Sequence, residues 1–265
     1  MKPAALLRER LARHDLITGA IASFHLWPDL VRLCRDAGLD YLIADMEHGS
    51  FSLELIAQVC TTGRHLDFPV LVRPPANDFD TIRLVLDQGP VGLLVAYIQD
   101  PQELDIVRDA LYLPPRGRRR PGGIGNFWVP DYQYASWKRE VEDRILVLPQ
   151  IETRRGVRNA AAIAAHEITT ALAIGPYDLS ADLGICGQMD DALLAEALVS
   201  IRAAGRAAGK ETWMIGGDPP QLARDGWRFL CIGEPTFVLQ GALKDRLAQT
   251  QKAAADNSPE MFRPE

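Results

Sequence analysis

The chain has 265 residues, 47% of them hydrophobic and 24% charged, with a formal net charge of −6 at pH 7. That composition supplies ample material for a hydrophobic core and excludes a low-complexity chain, and the acidic balance argues against a nucleic-acid partner. No window approaches the roughly 18 uncharged apolar residues that span a bilayer, so the expectation is a soluble, cytoplasmic protein with no membrane partner.

The N-terminal stretch MKPAALLRERLARHD, residues 1–15, alternates leucine and arginine at helical spacing and has no cleavage-site pattern, so it reads as an amphipathic helix. Short apolar runs then recur at Ile17–Ser23, Tyr41–Asp45, Pro69–Arg73, Gly92–Tyr97, Ile145–Gln150, Ala171–Gly175, Thr212–Gly216 and Phe229–Gly233. Their apolar continuity is what a strand needs when both of its faces are buried, as in a parallel sheet. Between them lie helix signals. Pro28 and Asp29 open LVRLCRDAG, Ser52 opens LELIAQV, Asp78 opens FDTIRLVLDQG, and Thr153 opens RRGVRNAAAIAAH. Asp190 and Asp191, Pro219 and Pro220, and Thr236 introduce the later helices. Eight strands alternating with helices predict a single α/β domain over residues 1–265, a (β/α)8 TIM barrel, with an open doubly wound sheet as the competing arrangement. The segment Leu113–Asp131 is long and rich in glycine and proline, which suits a functional loop. Residues 254–265 read as a frayed tail. The four cysteines, Cys34, Cys60, Cys186 and Cys231, form no CxxC pair and read as packed thiols of a reducing compartment.

In such a barrel the chemistry sits at the C-terminal ends of the strands. Strand two ends in Asp45, Glu47 and His48, strand three in Arg73, strand five in Gln150 and Glu152, and strand six in Gly175, Pro176, Tyr177 and Asp178. Glu152 and Asp178 are one strand–helix unit apart and should stand on neighbouring strands. As an oxygen-only pair they suit Mg²⁺ or Mn²⁺, unless barrel arginines neutralise them. His48 is either a proton carrier or a satisfied loop histidine. Arg73 suits a carboxylate or a developing oxyanion, or else an internal ion pair. None of the five lysines ends a strand, which argues against a Schiff-base mechanism. The arginines between Arg116 and Arg120 suit a solvated loop, a subunit contact or an anion clamp.

Five strings carry a resemblance: Asp45-Met46-Glu47-His48-Gly49, Val72-Arg73-Pro74, Leu86-Asp87-Gln88-Gly89, Gln150-Ile151-Glu152, and the run from Ile174 to Ser180. In order and spacing, from about residue 16 to 250, they resemble the HpcH/HpaI aldolases, class II metal-dependent enzymes of pyruvate-type 2-oxo acids. The resemblance implies a carbon–carbon lyase on a barrel of the phosphoenolpyruvate/pyruvate type, acting on a 2-oxo acid and an aldehyde. It also implies a homo-hexamer, a trimer of dimers with the C-terminal helix exchanged between subunits. By the same resemblance Glu152 and Asp178 are metal ligands, for Mg²⁺ or Mn²⁺ first and Co²⁺, Ni²⁺ or Zn²⁺ as alternatives. Arg73, Gln150, Gly175, Pro176 and Tyr177 contact substrate. His48 is the acid/base group with Asp87 as its partner across a subunit boundary, and Asp45 orders water near the metal. Citrate-lyase-β-like or macrophomate-synthase-like chemistry, or a metal-binding relative without turnover, are the alternatives. Leu94-Val95-Ala96, the loop after Pro114-Pro115, and Ile232-Gly233-Glu234-Pro235 depart from the family pattern, which leaves the acceptor aldehyde open.

Overall fold

The computed structural model describes residues 1–120, 122, 128–129 and 133–256. Parts of the Leu113–Asp131 loop and the tail beyond Asp256 therefore lie outside the described residues. Eight parallel strands close into a barrel in sequence order: β1 (Ile17–Ala22), β2 (Tyr41–Asp45), β3 (Val70–Arg73), β4 (Gly92–Val95), β5 (Leu146–Ile151), β6 (Leu172–Ile174), β7 (Thr212–Ile215) and β8 (Phe229–Cys231). The closed sheet, with β1 paired to β8, decides against the open doubly wound alternative.

Side-chain parity along the strands separates two apolar layers. Ile17, Ile21, Tyr41, Ile43, Leu71, Leu94, Leu146, Leu148, Trp213 and Phe229 fill one buried cluster inside the barrel. Leu42, Val70, Val72, Leu93, Val95, Val147, Leu172 and Met214 belong to the other, with apolar residues of the helices. Parity has a functional consequence. Asp45 continues the inward series of Tyr41 and Ile43, Arg73 that of Leu71, and Gln150 that of Leu146 and Leu148, so their side chains belong to the barrel interior.

The helices begin where the sequence places caps. Ser52 accepts from Leu55 N at 3.2 Å ahead of α3 (Leu53–His65), and Asp78 from Thr81 N at 3.0 Å ahead of α4 (Phe79–Leu86). Thr153 caps α7 (Arg154–Ala165), and Asp191 caps α9 (Ala192–Ala207). The N-terminal helix is α1 (Lys2–Ala12), whose Ala4, Leu7 and Leu11 join the interior cluster together with Met1 ahead of it. The remaining helices are α2 (Pro28–Asp36), α5 (Glu103–Leu111), α6 (Tyr134–Trp137, continued by a π-turn to Glu142), α8 (Pro176–Asp182), α10 (Pro219–Arg224) and α11 (Pro235–Asp256). α8 replaces the extended strand end expected at Asp178: Pro176 opens the helix with its fixed φ, and Asp178 lies in the first turn.

Inside the barrel Trp213 Nε1 donates to Tyr41 Oη at 2.7 Å, and Tyr41 Oη donates to the Leu230 carbonyl at 2.8 Å. Gly19 makes room for that ring, since a Cβ there would overlap it.

Candidate active site

A cavity of about 530 Å³ opens at the C-terminal end of the strands. His48, Arg73, Gln150, Gly175, Pro176, Tyr177 and Asp178 line it, together with residues of the β7, β8 and β1 ends.

Asp45 and Arg73 are direct partners in the β2–β3 register and form a buried bidentate ion pair. Arg73 Nε donates to Asp45 Oδ1 at 2.8 Å and Nη2 to Oδ2 at 2.6 Å. Ser23 Oγ donates to Asp45 Oδ2 at 2.5 Å, and the amides of Glu47 and His48 turn back to Oδ1 at 3.0 and 3.4 Å. Burial opposes the charge on Asp45, but the guanidinium and these donors outweigh it and hold the carboxyl below its ordinary range. Burial likewise opposes charge on Arg73, and Asp45 with Glu47 reverses that, leaving the guanidinium above its ordinary value. Arg73 Nη1 reaches Glu47 Oε2 at 3.0 Å. Three of its five N–H groups are thus engaged, and two are left for a ligand in the cavity.

Glu152 follows β5 and is 5% exposed. Its Oε2 accepts from the Tyr97 amide at 2.8 Å. Tyr97, after β4, holds φ at +56°, a left-handed backbone uncommon for a side-chain-bearing residue. On the other side a Cβ on Gly175 would overlap Glu152 Oε1, so the glycine is what admits the carboxylate to this position. Burial, opposed by the Tyr97 amide and reinforced by Asp178 and Glu47, pushes the Glu152 carboxyl up to about 7. A carboxylate held against two others in a buried place is one that a cation would relieve. Gln150 adds a buried Oε1 with no hydrogen-bond partner, on the same cavity.

This donor set fits a hard divalent ion. Glu152 and Asp178 supply two carboxylates, and hard cations of the Mg²⁺ type bind through one or two carboxylates and keep other positions for water or substrate. Among the described residues no group of three or more His, Cys, Asp or Glu side chains forms a complete metal cage. The alternative of barrel arginines paired to these acids is not what the cavity's guanidinium does, since the ion pairs of Arg73 are with Asp45 and Glu47.

His48 is exposed, and its Nε2 lies 3.8 Å from Glu47 Oε2. The structure does not bring Asp87 to it within one chain. Asp87 caps the end of α4 and pairs with Arg83 Nη1 and Arg119 Nη2, both at 3.3 Å. Arg119 is buried and stacks on Trp137, Arg116 stacks on Tyr112 and faces Glu142, and Arg118 pairs with Asp109. Acids and rings of the same chain therefore engage three of the loop arginines.

Sequence reasoning passed over Ser23 and the Tyr97 amide. Ser23 ends the first apolar run and so had a positional signal, whereas the Tyr97 contact is made by backbone and leaves no side-chain pattern to read.

Residues 26–233 match the HpcH/HpaI aldolase/citrate lyase family. The chain belongs to that family. It is 32% identical over 237 residues to a 4-hydroxy-2-oxovalerate aldolase of Novosphingobium aromaticivorans, covering 86% of this chain and 88% of the relative. It is 33% identical over 261 residues to a hydroxypyruvate/pyruvate aldolase of Roseovarius nubinhibens, covering 93% and 97%. Among solved structures, the HpcH/HpaI aldolase of Desulfitobacterium hafniense superposes with a TM-score of 0.83 at 27% identity, over 97% of this chain and 99% of that one.

Proposed function

We propose that this protein is a divalent-metal-dependent aldolase, a carbon–carbon lyase that joins the enolate of pyruvate or hydroxypyruvate to an aldehyde, or cleaves the resulting 4-hydroxy-2-oxo acid. The observation that carries this reading is the placement of Glu152, 5% exposed, bonded to the Tyr97 amide and seated against Gly175, behind a cavity lined by Asp178, Arg73 and Gln150, whose Oε1 has no hydrogen-bond partner. The names of the two relatives above, a 4-hydroxy-2-oxovalerate aldolase and a hydroxypyruvate/pyruvate aldolase, point the same way.

Aldolases of this family generally depend on a divalent metal ion. Glu152 and Asp178 would hold it, with Mg²⁺ or Mn²⁺ best suited to their oxygen-only chemistry. A bound divalent ion supplies Lewis acidity, stabilising negative charge on the 2-oxo acid as its methyl group loses a proton. The free N–H groups of Arg73 and the Nε2 N–H groups of Gln150 donate to the carboxylate and keto oxygens, with the backbone from Gly175 to Tyr177 closing one side. Asp45, itself held by Ser23, keeps the guanidinium in place and orders water at the site. A fixed donor of this kind stabilises oxyanion charge with no reorganisation during reaction. His48 takes the proton from the methyl carbon and returns it to the new alkoxide oxygen. Glu47 orients the imidazole within one chain, and Asp87 does so from a neighbouring subunit.

That last contact belongs to an assembly. We read the protein as a cytoplasmic homo-hexamer, a trimer of dimers with α11 exchanged between subunits. Supporting it, α11 exposes Val238, Leu239, Leu243 and Leu247 along its length, more apolar surface than an isolated helix ordinarily shows to water. The four cysteines are free, three of them buried, in keeping with a reducing compartment.

The test is cleavage of 4-hydroxy-2-oxopentanoate, read as pyruvate released. Activity should vanish with a chelator and return with Mg²⁺ or Mn²⁺. Full activity in chelator, with pyruvate trapped on the protein by borohydride, would replace this mechanism with a Schiff base.

A further inference from the structure

The mouth of the barrel has two unlike halves. The ends of β2, β3, β5 and β6 carry Asp45, Glu47, His48, Arg73, Gln150 and Glu152, with Asp178 just beyond. Of these, His48, Arg73, Gln150 and Asp178 line the cavity, and the arc made by the neighbouring β7, β8 and β1 faces it with Phe24, Ile215 and Phe237. Phe24 and Phe237 meet edge to face at 5.3 Å, and their exposures of 56% and 62% are high for phenylalanine rings at a cavity wall. Met189 and the Tyr177 ring extend this surface towards the polar half.

The polar groups on that arc are committed elsewhere. Glu234 is 8% exposed and accepts from the Thr236 and Phe237 amides at 2.7 and 3.2 Å, capping α11. Ser23 is bonded to Asp45, and His25 Nδ1 lies 3.1 Å from Thr236 Oγ1. Arg73 is the one guanidinium among the described residues lining the cavity, and it stands on the opposite arc, bonded to two carboxylates. A second anionic group on a substrate would therefore meet rings on this side, and carboxylates on the other.

We propose that the β7–β8–β1 arc is the acceptor subsite and that it selects an uncharged aldehyde bearing an apolar, ring-sized group, against aldehydes carrying a carboxylate or phosphate. The inference rests on the aldolase reading above and specifies its second substrate. The step itself is balanced. The enolate carbon of the 2-oxo acid bonds to the aldehyde carbon, the C=O π pair moves to the aldehyde oxygen, and the proton removed from the methyl group returns there. Nothing is oxidised or reduced. The cavity, at about 530 Å³, has room for a three-carbon 2-oxo acid beside a benzaldehyde-sized partner.

The experiment compares kcat/KM for benzaldehyde, acetaldehyde and succinic semialdehyde with pyruvate and Mn²⁺, using the full chain. Benzaldehyde should exceed acetaldehyde roughly ten-fold or more, since even one methylene in an apolar pocket is worth about 10-fold or more. Succinic semialdehyde should fall below benzaldehyde by at least as much. In Phe237→Ala and Phe24→Ala the benzaldehyde-to-acetaldehyde ratio should drop, and Phe237→Arg should raise the relative rate with succinic semialdehyde. Exchange of pyruvate methyl protons with deuterium needs no aldehyde and is read on the same preparation. Intact exchange with equal or better turnover of succinic semialdehyde in wild type overturns this inference alone. Absent exchange overturns the aldolase reading and this inference with it.

Discussion

Replacing Glu152 by glutamine should stabilise the metal-free protein, and should do so much more at pH 8 than at pH 5. The folded state holds this carboxyl at about 7 against an ordinary 4.5, so between those values the native protein keeps a proton that the unfolded chain has released. Stability from this group is therefore greatest below about 4.5, declines as pH rises towards 7, and levels off above it. Each tenfold change in acidity is worth about 1.4 kcal/mol, which makes the cost of ionising Glu152 about 3 kcal/mol at pH 8 and under about 1 kcal/mol at pH 5. Glutamine removes that cost and keeps an oxygen for the Tyr97 amide. Urea unfolding in EDTA at the two pH values measures the difference. A glutamine variant no more stable than wild type at pH 8, or equally stabilised at both, would show that burial beside Asp178 and Glu47 does not penalise the ionised carboxyl.

Three further outcomes follow from the same geometry. Mn²⁺ should raise the melting temperature of wild type more at pH 8 than at pH 5, because below about 7 protons compete for Glu152, and Asp178→Asn should abolish most of that shift. Arg73→Lys keeps a cation for the buried Asp45 but loses the fork, so turnover should fall by about 10²–10³-fold while Mn²⁺ still binds; a loss of a few-fold would remove Arg73 from its assigned place. Tyr41→Phe strips the Trp213 indole N–H and the Leu230 carbonyl of their buried partner, and should cost about 1–3 kcal/mol in urea unfolding without altering Mn²⁺ binding.

The barrel was legible because parallel strands covered on both faces leave continuous apolar runs, and the runs at Tyr41–Asp45 and Thr212–Gly216 match the observed strands within one residue. Helix caps such as Ser52 and Thr153 were legible for a local reason, since the capping bond spans three residues. The site was legible in its residue types and less so in its pairings. Arg73 was open between a substrate contact and an internal ion pair; the β2–β3 register sets Asp45 directly opposite and makes the pair, which engages only part of the guanidinium. Asp178 was expected at a strand end and lies instead on α8, because Pro176 starts a helix one residue after Gly175. The Tyr97 amide at Glu152 depends on a left-handed backbone in a residue that does not advertise it. His48 and Asp87, paired only by the resemblance, stand on different elements with different partners within the chain.

Deuterium exchange at the methyl group of pyruvate, followed by NMR in the absence of any aldehyde, tests the proton transfer at the centre of this account. Wild type loaded with Mg²⁺ should exchange the methyl protons, chelation should stop the exchange, and His48→Ala with metal restored should slow it by about 10²–10⁴-fold while still binding pyruvate. Exchange that continues in chelator, or that runs at the wild-type rate in a folded, metal-loaded His48→Ala protein, would contradict it.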